Sequence, residues 1–356
     1  MEDAMHPERE TLPVDGRLAA SLMIAVVLCQ SAVGQPSAHV AAGAEWELRM
    51  LGVDSEDKLS RLRAFPRRRV VRLAVVGQGG VSAGHLQPLG DLSKVTYHGC
   101  ADPGTNTHDT QAARVILDLT SPLGVEVELH VWQPGSSFRE VADRFRDAAA
   151  EVDIVAFFQS FWGPDAKHIE QAIRDSPSAL FVSPYVEVGD RSTGTTPQGA
   201  AFKPWVPGSI GHFVTVVPLA RRGDGRILTP LDRGLTDSEA INFIAPSYHA
   251  SGPGGTCPAA EVAAACAAYV HATMPERPEP AEVIDVLRAG VTVDRRLLAA
   301  DAFDDAAVDN LEEGIQRLSR PLKGKQRKLD APGVLNLYKT YRRIRFGAAE
   351  AQQDRR

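Results

Sequence analysis

The segment RLAVVGQGGVSAGHL, residues 72–86, joins an apolar run to a turn rich in glycine. The run LAVV predicts a short buried strand, and Gly77, Gly79 and Gly80 allow the backbone to turn sharply after it. Backbone amides in such a turn, followed by a helix N-terminus, can bind the phosphates of a dinucleotide. The segment therefore predicts either a phosphate-binding turn or the end of a catalytic strand that has lost its carboxylate.

The dinucleotide-binding pattern is only partly present. The first two glycines of G-x-G-x-x-G are found, but Ser82 occupies the third position. Asp102 ends the second predicted strand, where an acid could bind a ribose. Up to about residue 114 the sequence resembles dehydrogenases of the glucose–fructose oxidoreductase type, which implies NAD(P). The resemblance ends downstream, because residues 181–189, FVSPYVEVG, lack the lysine-proline signature of that family.

A second segment, residues 241–270 (INFIAPSYHASGPGGTCPAAEVAAACAAYV), contains a strand, a glycine loop and a helix start. A helix N-terminus presents amides and a positive dipole to a nucleophile, and Pro258 is well tolerated in a first turn. The segment resembles the nucleophile region of the subtilisin-like serine peptidases (subtilases). In this resemblance Cys257 occupies the position of the nucleophilic serine, and Glu261 replaces a proline of the motif.

The resemblance to subtilases extends to both sides of that segment. TNTHDTQAARVI, residues 105–116, is similar to the histidine helix of the family and places His108 on the catalytic histidine. Further similar segments follow in the family's order, so that the resemblance covers about residues 69–341. It implies a peptidase fold, a peptide or protein as substrate or ligand, His108 as the base and Cys257 as the nucleophile.

The resemblance also indicates which catalytic groups have changed in this divergent chain. Gly77 aligns with the family's aspartate, which orients the histidine, so the triad lacks its acid. Glu187 aligns with the oxyanion-loop asparagine, and a carboxylate there would repel a developing oxyanion. Ser160 and Gly163 are the candidates for the strand that flanks a bound peptide.

Three functions therefore remain open. A Cys–His pair can act without the aspartate, since a thiolate at a helix N-terminus beside an imidazolium needs less activation than serine. Asp109 or Gln78 could then orient the imidazole of His108, although the alignment places neither there. Alternatively, the chain is a catalytically inactive pseudopeptidase that binds peptides or proteins. The third alternative is an NAD(P)-dependent oxidoreductase with a Rossmann-type N-terminal half.

The elements that must position these residues alternate along the chain. Strand-like runs and helix-period runs alternate between residues 70 and 273, which is typical of a parallel sheet with helices on both faces. We therefore predict a doubly wound, subtilisin-like α/β domain over residues 69–341. Residues 39–68 form a predicted connector with a short helix over 44–62, and 342–356 a basic and polar tail.

Composition and the N-terminal sequence indicate the general class of the protein and its location. A net charge of −6 with 44% hydrophobic residues is typical of a soluble globular protein and gives no reason to expect nucleic acid as a partner. Within residues 1–38, LAASLMIAVVLCQSAVG has the pattern of a secretory signal. We predict export to the periplasm or the extracellular space, with no membrane span after removal of this leader. CxxC and HExxH spacings are absent, and we predict neither a metal nor a cofactor.

Overall fold

A computed structural model describes most of the predicted domain of this 356-residue chain. The described residues are 37–77, 79–86, 94–133, 135, 137–158, 166–184, 210–222, 227–228, 241–249, 257–292, 313 and 333–350. Apart from its last two positions, the predicted leader lies outside this set. Within the described set, no helix combines the length and the apolar character that crossing a membrane requires.

A mostly parallel sheet forms the centre of the described structure. Its strands are β1 (Val71–Val76), β2 (Val95–His98), β3 (Val127–Trp132), β4 (Ile154–Phe157), β5 (Leu180–Pro184), β6 (Phe213–Arg222), β7 (Ile227–Leu228), β8 (Phe243–His249) and β9 (Gly333–Val334). They are ordered β2-β3-β1-β4-β5-β6-β8-β9, and neighbours in this order run parallel. The short β7 pairs antiparallel with β6.

Helices cover both faces of this sheet. They are α1 (Ser37–Met50), α2 (Glu56–Ala64), α3 (Ala83–Leu86), α4 (His108–Thr120), α5 (Phe138–Glu151), α6 (Ala166–Arg174), α7 (Cys257–Thr273), α8 (Pro280–Gly290) and α9 (Leu337–Glu350). Because successive strand residues point to opposite faces, Leu73 and Val75 share a core with α4 and α7, whereas Ala74 and Val76 share one with α5 and α6. The predicted doubly wound α/β fold class is confirmed.

The strand β1 lies in the middle of the sheet, between β3 and β4. Its sequence VRLAVV is apolar except for Arg72, and the other five residues are buried. In the register of the sheet, Val76 pairs with Trp132 on one side and with Phe157 on the other. Since parallel strands end at the same edge, the next residues, Gly77 and Phe158, lie side by side at the carboxyl edge of the sheet.

The segment before β1 packs onto the domain. Two helices, α1 and α2, lie where the sequence predicted one short helix over residues 44–62. The chain turns between them at Gly52, whose φ of +83° and close approach to the Asn336 side chain both favour glycine. Leu51 and Leu62 are fully buried in the core that contains α4 and α7. This segment, which the sequence predicted as a connector, therefore contributes to the hydrophobic core of the domain.

Much of the predicted basic tail is helical. The helix α9 runs from Leu337 to Glu350 with a break at Gly347, where φ is +72°. Tyr341 anchors this helix, because its side chain is buried and its ring meets that of Phe65 edge-on with centroids 5.4 Å apart. The helix therefore packs against the segment that precedes β1.

A buried histidine in α7 predicts a pH dependence of folding. Neither ring nitrogen of His271 has a hydrogen-bond partner among the described residues, and burial lowers the pKa of His271 to about 4. Between about pH 6.5 and 4 the unfolded chain therefore gains a proton that the folded chain does not. We expect acidification across this window to cost the folded state about 2–3 kcal/mol through His271.

The substitution His271→Leu isolates this contribution. We expect the variant to lose less stability than the wild type between about pH 7 and 4, measured as urea unfolding free energies, because other titrating groups cancel in the comparison. A matched control is His168→Leu, since His168 is partly exposed on α6. A difference between wild type and His271→Leu that stays constant with pH would contradict the prediction.

Candidate active site

His108 is the first residue of α4 and lies at the carboxyl edge of the sheet. The Thr107 side chain caps the helix by accepting a hydrogen bond from the Thr110 amide at 3.0 Å, and it donates to the carbonyl of Gly80. These bonds tie the start of the helix to the glycine turn after β1. The His108 ring meets the Phe158 ring with centroids 6.0 Å apart, and its side chain is 30% exposed. The imidazole is therefore held in place but accessible.

Cys257 is the first residue of α7, on the same face of the sheet as α4. The helix sequence CPAAEVAAACAAYVHAT is mostly small and apolar, and nearly all of it is buried, so packing fixes where the helix begins. The thiol is buried, with Sγ 3.9 Å from the carbonyl oxygen of Phe158. The glycine loop before it, residues 251–256, lies outside the described residues.

Phe158 connects the two predicted catalytic residues. Its ring contacts His108 and its carbonyl contacts Cys257. The helices that carry them, α4 and α7, pack against each other and contribute small residues such as Ala112 and Ala260 to one core. The structure therefore brings a histidine and a cysteine that are far apart in sequence to the same end of β4.

Asp109 lies buried beside His108, at the turn that follows β1. Its Oδ2 accepts hydrogen bonds from the amides of Gly79 at 2.9 Å and Gly80 at 2.8 Å. Its Oδ1 lies 3.7 Å from Nδ1 of His108, and its side chain is only 4% exposed. The two amides and the positive end of the α4 dipole both stabilise a negative charge at this position.

Gly77 is the position that aligns with the family's aspartate, and the space beside it is filled by Asp109. A Cβ atom at Gly77 would lie 2.0 Å from Oδ1 of Asp109, far inside contact distance. A side chain at residue 77 would therefore require the carboxylate of Asp109 to move from this position. The sequence predicts a missing carboxylate at the end of β1, and in the structure the carboxylate of Asp109, from α4, lies beside Gly77.

Three described amides of the glycine turn donate hydrogen bonds within the protein. The amides of Gly79 and Gly80 donate to Asp109, and the amide of Ser82 donates to Oγ1 of Thr110 at 2.9 Å. A buried carboxylate would also repel an anion at this point. These three described amides are therefore not available to the phosphates of the predicted dinucleotide-binding alternative.

Asp102, the predicted ribose-binding acid of that alternative, stabilises local turns. Its carboxylate accepts hydrogen bonds from the amides of Gly104 at 2.7 Å and Ala83 at 3.0 Å. The hydrogen bond from the Gly104 amide lowers the pKa of Asp102 below its ordinary value. Two of the acceptor positions of this carboxylate are therefore already used within the protein.

Several predicted site residues lie outside the described part of the chain. They are Gln78, Ser160, Gly163 and Glu187. The described structure assigns two further residues, Phe158 and Asp109, a place at the site that the alignment did not predict. Phe158 directly follows the buried run VDIVAF, which was recognisable as a strand, and Asp109 directly follows the candidate base. An alignment reveals neither the contact of Phe158 with His108 nor the position of Asp109 beside Gly77.

Comparison with known proteins identifies the fold that positions these residues. No protein-family model matches the sequence, and no curated protein matches it significantly. The crystal structure of a lanthipeptide protease is similar over 83% of this chain and 93% of its own, with 16% identity and a TM-score of 0.52. MycP1 from Mycobacterium smegmatis is similar over 83% of both chains, with 14% identity and a TM-score of 0.50. The fold is that of the subtilisin-like proteases.

A third solved structure, also of MycP1, agrees with this assignment. The serine protease MycP1, described as an essential component of the type VII (ESX-1) secretion system, matches 86% of this chain with 14% identity and a TM-score of 0.50. At such identities the likeness is one of fold. The subtilisin-like fold accounts for why His108 and Cys257 meet at one edge of the sheet, and what they do there is a separate question.

Proposed function

We propose that this chain is a peptidase homologue that cleaves peptide bonds through a Cys257–His108 pair. The observation that carries the proposal is that both side chains contact Phe158, the residue that follows β4. Cys257 is also the first residue of α7, so its thiol lies where the helix dipole is positive. A thiolate is favoured at such a position, and a neighbouring imidazole can accept its proton.

The chemistry follows the ordinary course of acyl transfer to a thiol. The imidazole of His108 takes the proton of the Cys257 thiol, and the sulfur attacks the peptide carbonyl carbon. When the C–N bond breaks, the imidazolium returns the proton to the leaving amine, which leaves a thioester on Cys257. Water then gives a proton to His108 and attacks the thioester, and the acid product leaves as the thiol is regenerated.

Asp109 supplies the acid that the triad otherwise lacks. Its Oδ1, 3.7 Å from Nδ1 of His108, is close enough to stabilise an imidazolium, and catalytic contacts often tighten once substrate is bound. Its two hydrogen bonds from the glycine turn hold the carboxylate in place. We propose that Asp109 is a positioning residue: it acts on the substrate only through His108. The aspartate of the triad has thus moved from the strand end to the helix start.

A peptide-binding pseudopeptidase is the second candidate. The burial of Cys257, whose relative exposure is 2%, favours this function, because a nucleophile must reach its substrate. In that case the same edge of the sheet would bind a peptide without cleaving it. The two functions share the ligand class, since the proteins with similar structures are proteases, and they differ in the reactivity of one thiol.

Labelling with a thiol-directed electrophile distinguishes the two functions. We expect Cys257 to be labelled faster than Cys100 near neutral pH and Cys266 not to react, because burial raises the pKa of the Cys266 thiol to about 12. Mass spectrometry of digested protein identifies the site. Cys29 is replaced by serine throughout, so that a leader cysteine does not contribute.

Cleavage of a peptide library provides the second measurement. We expect the wild type and Cys266→Ala to cleave peptides, and Cys257→Ala to lose cleavage while it still folds. Labelling of Cys257 no faster than Cys100, together with no cleavage above the Cys257→Ala background, would leave only the binding function.

A further inference from the structure

Two histidines and a glutamate form a cluster on the face of the sheet opposite to α4 and α7. His98 ends the edge strand β2, His130 lies on β3, and Glu151 ends α5. Nε2 of His98 is 2.9 Å from Nδ1 of His130. Oε2 of Glu151 is 3.6 Å from Nδ1 of His98 and 4.0 Å from Nδ1 of His130. One ligand atom from each residue lies within 4.8 Å of the others.

Three side chains that each offer a ligand atom within 4.8 Å of the others can share one metal ion after small adjustments. Zinc binds histidine nitrogens and carboxylate oxygens at about 2.0–2.2 Å, which places neighbouring ligand atoms about 3.3 Å apart. The 2.9 Å contact uses Nε2 of His98 and the 3.6 Å contact uses its Nδ1, so the side chains must adjust until one nitrogen of this ring faces the ion. Glu151 is half exposed, with 50% of its side chain accessible, so water can occupy a fourth position.

The surroundings of the cluster are those of a supported metal site. Nε2 of His130 is buried and has no hydrogen-bond partner among the described residues, and the carboxylate of Glu128 lies 3.7 Å from it. A carboxylate behind a ligating histidine fixes the tautomer that leaves the other nitrogen free to bind metal. Trp132 stacks on His98 with centroids 3.8 Å apart and planes 7° apart, which restrains that ring.

We propose that His98, His130 and Glu151 bind one Zn²⁺ ion. Glu128 is the outer carboxylate, and water completes the coordination. The sequence predicted no metal, because the three ligands come from two strands and a helix, without a recognisable spacing. The ion would tie the edge strand β2 to β3 and to the end of α5. Since these elements line the other face of the sheet, the site acts on stability and leaves the Cys257 thiol chemistry unchanged.

Titration of the untagged, chelator-treated full chain with Zn²⁺ tests this proposal. We expect one ion per chain, a higher melting temperature with zinc, and nitrogen and oxygen ligands without sulfur in X-ray absorption. His98→Ala and Glu151→Gln should each weaken binding at least about a hundredfold, and Glu128→Gln about tenfold to a hundredfold. Glu151→Gln is a half-exposed change that preserves folding.

Two controls make the titration decisive. His168→Ala removes a histidine outside the cluster and should leave zinc binding unchanged. Cys257→Ala removes the competing thiol–imidazole pair and should also leave it unchanged. The proposal is overturned by a lack of one-to-one binding, by binding that survives His98→Ala and Glu151→Gln, or by binding that is lost in Cys257→Ala.

Discussion

Gly77→Asp, which places an aspartate where the subtilase resemblance predicts one, is expected to destabilise this protein by about 1–3 kcal/mol. A Cβ atom at this site would lie 2.0 Å from Oδ1 of Asp109, and the new carboxylate would meet a second one in a buried place. Both overpacking and repulsion between like charges act in the same direction. Denaturant unfolding followed by circular dichroism measures the loss.

A second substitution should reverse most of this loss. In Gly77→Asp/Asp109→Ala the carboxylate of residue 109 is removed, and the new aspartate can occupy its place beside the glycine turn. We therefore expect the double variant to be more stable than Gly77→Asp alone, which is the reverse of additive behaviour.

Gly84→Asp is the matched control for this series. A Cβ at Gly84 would have no atom within 4 Å, so the change should alter stability by less than about 0.5 kcal/mol. If Gly77→Asp were as stable as Gly84→Asp, the carboxylate of Asp109 could not lie beside residue 77.

The fold could be predicted because its signals are local and repeated. Buried runs such as LAVV and VDIVAF alternate with helical periods, and this alternation indicates a parallel sheet whatever the family. The break between α1 and α2 was missed, because it depends on a tertiary contact. The Asn336 side chain, from the far end of the chain, lies where a Cβ of Gly52 would be. A single-sequence pattern contains no information about such a neighbour.

The sequence could predict a residue of the candidate site only where that residue occupies the same backbone position as in the subtilases. His108 and Cys257 begin helices in the order that the subtilase resemblance implies, so an alignment finds them. Asp109 does not share the aligned position, because its side chain reaches the end of β1 from a different element. The missing side chain at Gly77 is visible in the sequence, whereas the carboxylate of Asp109 beside it is visible only in the structure.

The position of Asp109 also accounts for the hydrogen bonds that the two other glycines of the turn donate. Their amides, at Gly79 and Gly80, point at one carboxylate oxygen, while the other oxygen faces His108. The glycine-rich turn, which suggested a phosphate-binding site, therefore binds the carboxylate of Asp109 instead. Replacing this internal anion by a neutral group should disturb the imidazole more than the fold.

The reactivity of Cys257 towards a thiol-directed electrophile should depend strongly on both His108 and Asp109. We expect His108→Ala to slow labelling by about 10²–10⁴-fold, the usual contribution of a positioned base. Asp109→Asn should slow it by a smaller factor, about 10–10²-fold, because the amide oxygen can still accept from the glycine turn but carries no charge. In His108→Ala the rate should then rise with pH as it does for an ordinary thiol.

The pH profile separates positioning from a purely structural role of Asp109. If Asp109 only held the glycine turn, Asp109→Asn would change stability while the profile of labelling against pH kept its wild-type shape. We expect instead a changed profile in a folded variant, since the imidazolium loses its counter-charge. Asp102→Asn is the control, because Asp102 also accepts hydrogen bonds from backbone amides but has no contact with His108 among those described. Wild-type labelling by folded Asp109→Asn would show that the acid of the triad is truly lost.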